Sequence, residues 1–165
     1  MDTIREYLAL CWLNNDPLEL PRSVGLFRKS LLIYFVIGYL LQANMIDDPF
    51  ESLYEISLQT VLMLAFIGIM LFLNKTLYAY VQVTTAFMFS ANLISAFVVP
   101  VMVWLTVSED LYSYYLFFLL LAWYYAIVSY IIKRTLLINI AASMVLALLY
   151  FIATFLSAFA LGQIL

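Results

Sequence analysis

Five apolar runs separated by short polar breaks organise this chain, near residues 31–46, 56–73, 80–107, 111–132 and 136–161. A helix needs about 20 residues to cross the hydrocarbon core of a bilayer, so the pattern predicts five membrane spans. The first run is short by that measure. Arg28 and Lys29 can extend toward the interface, however, and let Leu26 and Phe27 count toward the span. The expected fold is all-α: a polytopic bundle of five transmembrane helices over residues 31–165, preceded by a short amphipathic segment over 1–30.

The breaks read as helix ends. Asp48-Pro49-Phe50-Glu51 offers an N-cap acid, a proline at the first helical position and an acid at the third. Ser108-Glu109-Asp110 opens the fourth span in a similar way, and Lys133 and Arg134 close it, each charge matching the helix dipole. Ahead of the membrane, Thr3-Ile4-Arg5-Glu6 is a capping-box match. The helix it starts, over residues 3–14, places Ile4, Leu8, Cys11 and Trp12 on one face. That helix is expected to lie on the inner membrane surface, with docking on a partner as the alternative.

Charge turns the five spans into an oriented object. All seven bases, Arg5, Arg22, Arg28, Lys29, Lys75, Lys133 and Arg134, fall on one side, while the loops on the other side carry Asp47, Asp48, Glu51, Glu55, Glu109 and Asp110. The positive-inside bias then puts the N-terminus in the cytoplasm and the C-terminus outside, most simply in the periplasm of a bacterial inner membrane. The net charge of −3 is thus an outer-face property and gives no support for nucleic-acid binding. A hydrophobic content of 67% with only 10% charged residues leaves too little polar surface to cover a water-soluble globule. No early apolar leader is evident, and insertion is expected to use uncleaved spans.

Candidate chemistry is sparse. The chain has no histidine and one cysteine, Cys11, which rules out an internal disulfide and removes the commonest general base. Run three is the most polar, with Thr84, Thr85, Ser90, Asn92 and Ser95, and Pro100 further along. Ser90, Asn92, Ser95 and Pro100 form a candidate polar path or, alternatively, a helix contact joined by Asn92, with a kink expected where Pro100 frees the carbonyl of Ala96. Trp123, Tyr124 and Tyr125 fall in the middle of a span and form a candidate aromatic groove, plain packing being the alternative. Asp47, Asp48, Glu51 and Glu55 form a candidate outer cation site, although helix capping already accounts for most of them. Small-residue pairs in run five, such as Ser143/Ala147 and Ala153/Ser157, specify close helix contact within the bundle or between copies. Neither metal-ligand spacing nor a nucleophile–base pair stands out, and no cofactor or enzymatic activity is expected.

The segment from Leu10-Cys11-Trp12-Leu13 through Leu20-Pro21-Arg22-Ser23, followed by five closely spaced spans, resembles the Yip family of small integral membrane proteins, in particular its bacterial branch. The resemblance implies a five-span fold with an inner N-terminus. The Asp-Leu-Tyr-Gly-Pro motif of the eukaryotic branch is absent, so that branch's trafficking and GTPase-binding roles are not implied. The functional expectation is a membrane scaffold, assembly factor or accessory subunit, partnered by lipid and by another membrane protein or a second copy. A small carrier or channel-like protein using the third span is the alternative.

Overall fold

The computed structural model describes residues 2–43, 48–108 and 110–162. The described chain is helical and contains seven α-helices: α1 (Asp2–Cys11), α2 (Val24–Ala43), α3 (Pro49–Leu73), α4 (Tyr80–Ser108), α5 (Leu111–Leu136), α6 (Ile140–Phe151) and α7 (Ser157–Gly162). A 3-10 turn (Leu77–Ala79) leads into α4, and a π-type segment (Ile152–Leu156) joins α6 to α7. Five stretches are long and apolar enough to cross a membrane: Val24–Ala43, Pro49–Leu73, Leu77–Ser108, Leu111–Leu136 and Ile140–Gly162.

Local chemistry sets the ends. Ser23 starts α2, its hydroxyl accepting from the Leu26 amide (3.2 Å) and its carbonyl from Phe27 (3.0 Å). The helix therefore begins seven residues before the apolar run at 31 and takes Arg28 and Lys29 into its first turns. Ile46, the expected end of that span, and Asp47 lie outside the described residues. The Asp48 carboxylate accepts from the Phe50 amide at 2.8 Å and starts α3, so Glu51 and Glu55 belong to the helix and not to a loop. Asp110 caps α5 through the Tyr112 amide, whereas Glu109 is outside the described residues. Asn139 caps α6 through the Ala142 amide at 2.8 Å. At the base-bearing end, α3 and α5 both terminate without glycine, the chain turning through left-handed Lys75 (φ 58°) and Leu137 (φ 55°).

The fifth span changes from α to π-type hydrogen bonding over Ile152–Leu156. Thr154 Oγ1 donates to the Tyr150 carbonyl (2.7 Å) and Ser157 Oγ to the Ile152 carbonyl (3.1 Å), across the π-type segment. In contrast α4 remains helical from Tyr80 through Pro100 to Ser108.

Helix α4 is central and packs against α1, α2, α3 and α5; α3 also packs on α2 and α7, and α5 on α6. Its small residues permit this: Ala86 and Ser90 are fully buried and Ala91 nearly so. On α2, Gly38 faces Ile56 so closely that a Cβ there would collide with the Ile56 side chain. The α2–α3 crossing thus depends on a missing side chain.

The N-terminal helix does not lie apart from the bundle. It inserts its Tyr7, Leu10 and Cys11 face against it, all three fully buried, while Ile4, Leu8 and Trp12 remain exposed. The Tyr7 and Phe89 rings sit 5.7 Å apart, and the Trp123 indole donates to the Cys11 carbonyl at 3.3 Å. Ser90, which meets Cys11, is ten residues beyond Tyr80 in α4, about 15 Å along the axis at 1.5 Å per residue. The end of α1 therefore reaches well up the bundle. The chain then folds back beside it, Asn15 donating to the Glu6 carbonyl (3.1 Å) and Tyr7 to that of Pro21 (3.3 Å).

Candidate functional site

Polar side chains inside an apolar bundle are costly unless partnered, so their placement is the best guide to function. Those of α4 face in different directions. Ser90 donates to its own helix at the Ala86 carbonyl (2.5 Å) and receives the Cys11 thiol (3.9 Å), so it faces α1. Asn92 Nδ2 donates to the Ser30 carbonyl of α2 at 2.9 Å, and its Oδ1 is buried without a hydrogen-bond partner. Ser95 is half-buried and Pro100 exposed. Ser90 and Asn92 act as struts to two neighbouring elements and do not line a common lumen.

Three aromatic residues of α5 divide between two neighbours: Trp123 turns to α1, while Tyr124 and Tyr125 both meet Phe151, at 5.3 and 6.0 Å. Trp123 faces α1, with its ring 5.2 Å from Trp12 and 6.2 Å from Phe97. Tyr124 is buried and meets Phe151 edge-on at 5.3 Å. Tyr125 donates to the Met144 carbonyl of α6 at 2.7 Å.

The outer acids are divided in the same way. Asp48 is engaged in capping, Glu51 lies in the first turn of α3, and Glu55 is buried in the bundle. Gly162 of α7 covers Glu55; a Cβ at that position would stand 2.7 Å from Glu55 Oε1. Among the described residues no group of three or more His, Cys, Asp or Glu side chains is placed to hold a metal ion.

What the structure does bring together is a polar cluster between α2, α3, α5 and α6. Gln59 is its hub: Nε2 donates to the Tyr34 hydroxyl (2.9 Å), and Oε1 accepts from Gln42 Nε2 (3.3 Å). Tyr34 lies within electrostatic range of Tyr124 and Tyr150, and these two hydroxyls are close enough to interact. Neither the Tyr124 nor the Tyr150 hydroxyl makes a hydrogen bond, and Gln42 Oε1 and Glu55 Oε1 are likewise buried without one. The groups gathered here are amides and phenols, with the Glu55 carboxyl one helical turn from Gln59 on α3.

Sequence reasoning overlooked Gln42, Gln59, Tyr34 and Tyr150. The available signal was Gln59, the one amide inside run two, four residues from Glu55 and on the same helical face.

Cys11, outside the spans, is chemically quiet. Burial pushes its thiol up to about 11, with the Ser90 hydroxyl pulling the other way, and burial likewise pushes Tyr7 up to about 12. A neutral thiol is a poor nucleophile and a poor acceptor for lipidation.

The class these features define is a multi-pass helical membrane protein. Comparison with family models, with curated proteins and with solved structures gives no match.

If Gln59 is the hub, Gln59→Leu leaves the partner groups of Tyr34 and Gln42 buried and unsatisfied. The expected loss is about 1–3 kcal/mol of unfolding free energy in detergent. Adding Tyr34→Phe removes one orphaned group and should recover part of that loss. An unchanged unfolding midpoint in Gln59→Leu would rule out the hub.

Proposed function

We propose that this chain is a non-enzymatic membrane scaffold, assembly factor or accessory subunit that acts through helix–helix contacts. The observation that carries the reading is the use made of α4's polar groups: Ser90 and Asn92 tie α1 and α2 to the bundle. A transport path would need such groups directed into a shared cavity. The partner is another membrane protein or a second copy, and its natural seat is α2. Only 11% of the most apolar window of α2 is buried, against 39% for α3, for the α4 span and for α5.

The orientation that fits is an N-terminus in the cytoplasm and a C-terminus in the periplasm of a bacterial inner membrane. It is supported by the seven bases confined to one end of the spans. A distant relation to the Yip-type five-span proteins is part of the same reading, supported by the five apolar helices and by the segment from Leu10 to Ser23.

A second reading, a small carrier or channel-like protein, is favoured by one observation. The cluster around Gln59 keeps unpartnered polar atoms in the bundle interior. In that case the polar route would run between α2, α3, α5 and α6, not along α4.

Two measurements decide. With Cys11→Ser as background, Phe50→Cys places a thiol at a site 82% exposed, and an impermeant maleimide should label it only from the face opposite the N-terminus. Labelling from the N-terminal face would reverse the orientation. Purification in mild detergent should retain a membrane-protein partner or a second copy, and Leu32→Trp or Leu40→Trp on the exposed face of α2 should release it. A wild-type monomer with nothing bound would contradict the scaffold.

A further inference from the structure

Two turns at the base-bearing end of the bundle are tied together. Asn74, just past α3, donates from Nδ2 to the Thr135 carbonyl near the end of α5 at 3.2 Å. The same group approaches Thr76 Oγ1 at 3.4 Å, which holds the α3–α4 connection against the end of α5. Beside this tie runs a groove of about 370 Å³ between α3, the end of α5 and α6. Its walls include Phe66, Ile69, Leu73, Leu136, Ile138 and Leu146, and Asn74 contributes its polar edge. The volume is within the roughly 300–1,000 Å³ of small-molecule sites. Leu73 and Ile69 are largely exposed, so the groove opens toward the hydrocarbon around the bundle.

The chain segments that flank the groove carry charge of one sign. Lys75 follows Asn74 directly, and Lys133 and Arg134 precede Thr135; residues 74–79 and 133–139 contain no acid. Arg134 is turned onto its own helix, with Nε 3.2 Å from the Tyr130 hydroxyl and its guanidinium 5.4 Å from the ring centroid. That leaves Lys75, exposed and one residue past the groove's Asn74, and Lys133, half-buried and three residues before its Leu136. The remaining bases are of a different kind. Arg5, Arg22, Arg28 and Lys29 share residues 1–30 with Asp2, Glu6, Asp16 and Glu19 and have no net charge to offer.

An apolar groove facing hydrocarbon, with unbalanced basic segments flanking it at the span ends, matches one occupant. We propose that it seats an acyl chain of an anionic phospholipid, with the phosphate between Lys75 and Lys133. A zwitterionic lipid would offer the same chain with no net charge for the two lysines. Basic residues at the membrane surface favour anionic lipid enough for about a thirtyfold preference from two lysines. Such a lipid would brace the α3–α5–α6 corner.

The test is native mass spectrometry of the full chain from non-ionic detergent, titrated with phosphatidylglycerol or with phosphatidylcholine of identical chains. Phosphatidylglycerol should be retained about thirtyfold more strongly. The preference should vanish in the Lys75→Gln, Lys133→Gln double variant and survive in Arg5→Gln, Arg22→Gln. Leu146→Trp, which fills the groove, should weaken retention while leaving the lysines in place. Glycerol phosphate, the soluble headgroup, should not compete. Equal retention of the two lipids would overturn the proposal, as would a preference that persists in the double lysine variant. Full competition by glycerol phosphate would also overturn it, because the groove would then contribute nothing. Circular dichroism melting of each variant separates loss of lipid from loss of fold.

Discussion

Inside a bilayer no water is available to satisfy a stray donor or acceptor, and that constraint shapes the interior of this protein. Its backbone answers with helices, which satisfy their own amides and carbonyls. Its side chains answer less simply. Amides of α2, α3 and α4, several hydroxyls and one carboxyl lie within or beside apolar spans; some bond across helices, and others, such as Glu55 Oε1 and the Tyr150 hydroxyl, are buried without a partner. Asn92 reaches the Ser30 carbonyl, Gln59 reaches Tyr34 and Gln42, and Asn74 reaches the Thr135 carbonyl. These bonds connect different helices, and with the small residues of α4 they determine which helices are neighbours. A single interhelical bond of this kind contributes about 0.6 kcal/mol on average in a membrane. Its larger effect is on specificity, because an arrangement that breaks the bond leaves its donor and acceptor unpaired in an apolar interior.

The same constraint explains why α1 belongs to the bundle. Its buried face meets Phe89, Ser90 and Trp123, so polar groups at mid-height on α4 and α5 are covered by protein and not by lipid. The returning segment carries Asn15, Asp16 and Glu19 beside this helix and lines a small polar crevice with Glu6. One flank of the bundle is therefore polar well above the inner ends of α4 and α5. At α3 and α6 the exposed surface is apolar down to Leu73 and Ile140. The two surfaces are suited to different neighbours, and the groove with its basic flanking segments lies on the apolar one.

Much of the fold was legible in the sequence because hydrophobic run length and turn chemistry are local properties. Asp48, Asp110 and Asn139 cap the helices that follow them, and five spans emerge where five runs were read. Two things were not local. The stripe Ile4, Leu8, Cys11 and Trp12 suggested a surface-lying helix, but the bundle takes the adjacent face through Tyr7 and Leu10, since Phe89 and Trp123 are the complementary surface. Span three drew attention by its number of polar residues. Periodicity, however, sends Ser90 and Asn92 to different sides of one helix, so that count said little about a path. Glu55 looked like a loop acid because run two seemed to begin at Ile56. Once Asp48 starts the helix, Glu55 occupies an inward position under Gly162. Pairings such as Gln59 with Tyr34 depend on which helices become neighbours, and that is decided by packing across 25 residues of chain.

Helix α1 is seated against α4, and the polar middle of α4 serves as its strut. Cys11 Sγ and Ser90 Oγ are 3.9 Å apart, and Cys11 is the only cysteine in the chain, so Ser90→Cys creates one possible intramolecular disulfide. Oxidation of that variant in the intact membrane should form this bond rapidly and nearly completely, read as loss of both free thiols in the monomer after denaturation. Two thiols that stay reduced, or that pair only between chains, would show that α1 is not docked there and would remove the basis for reading Ser90 as a structural contact.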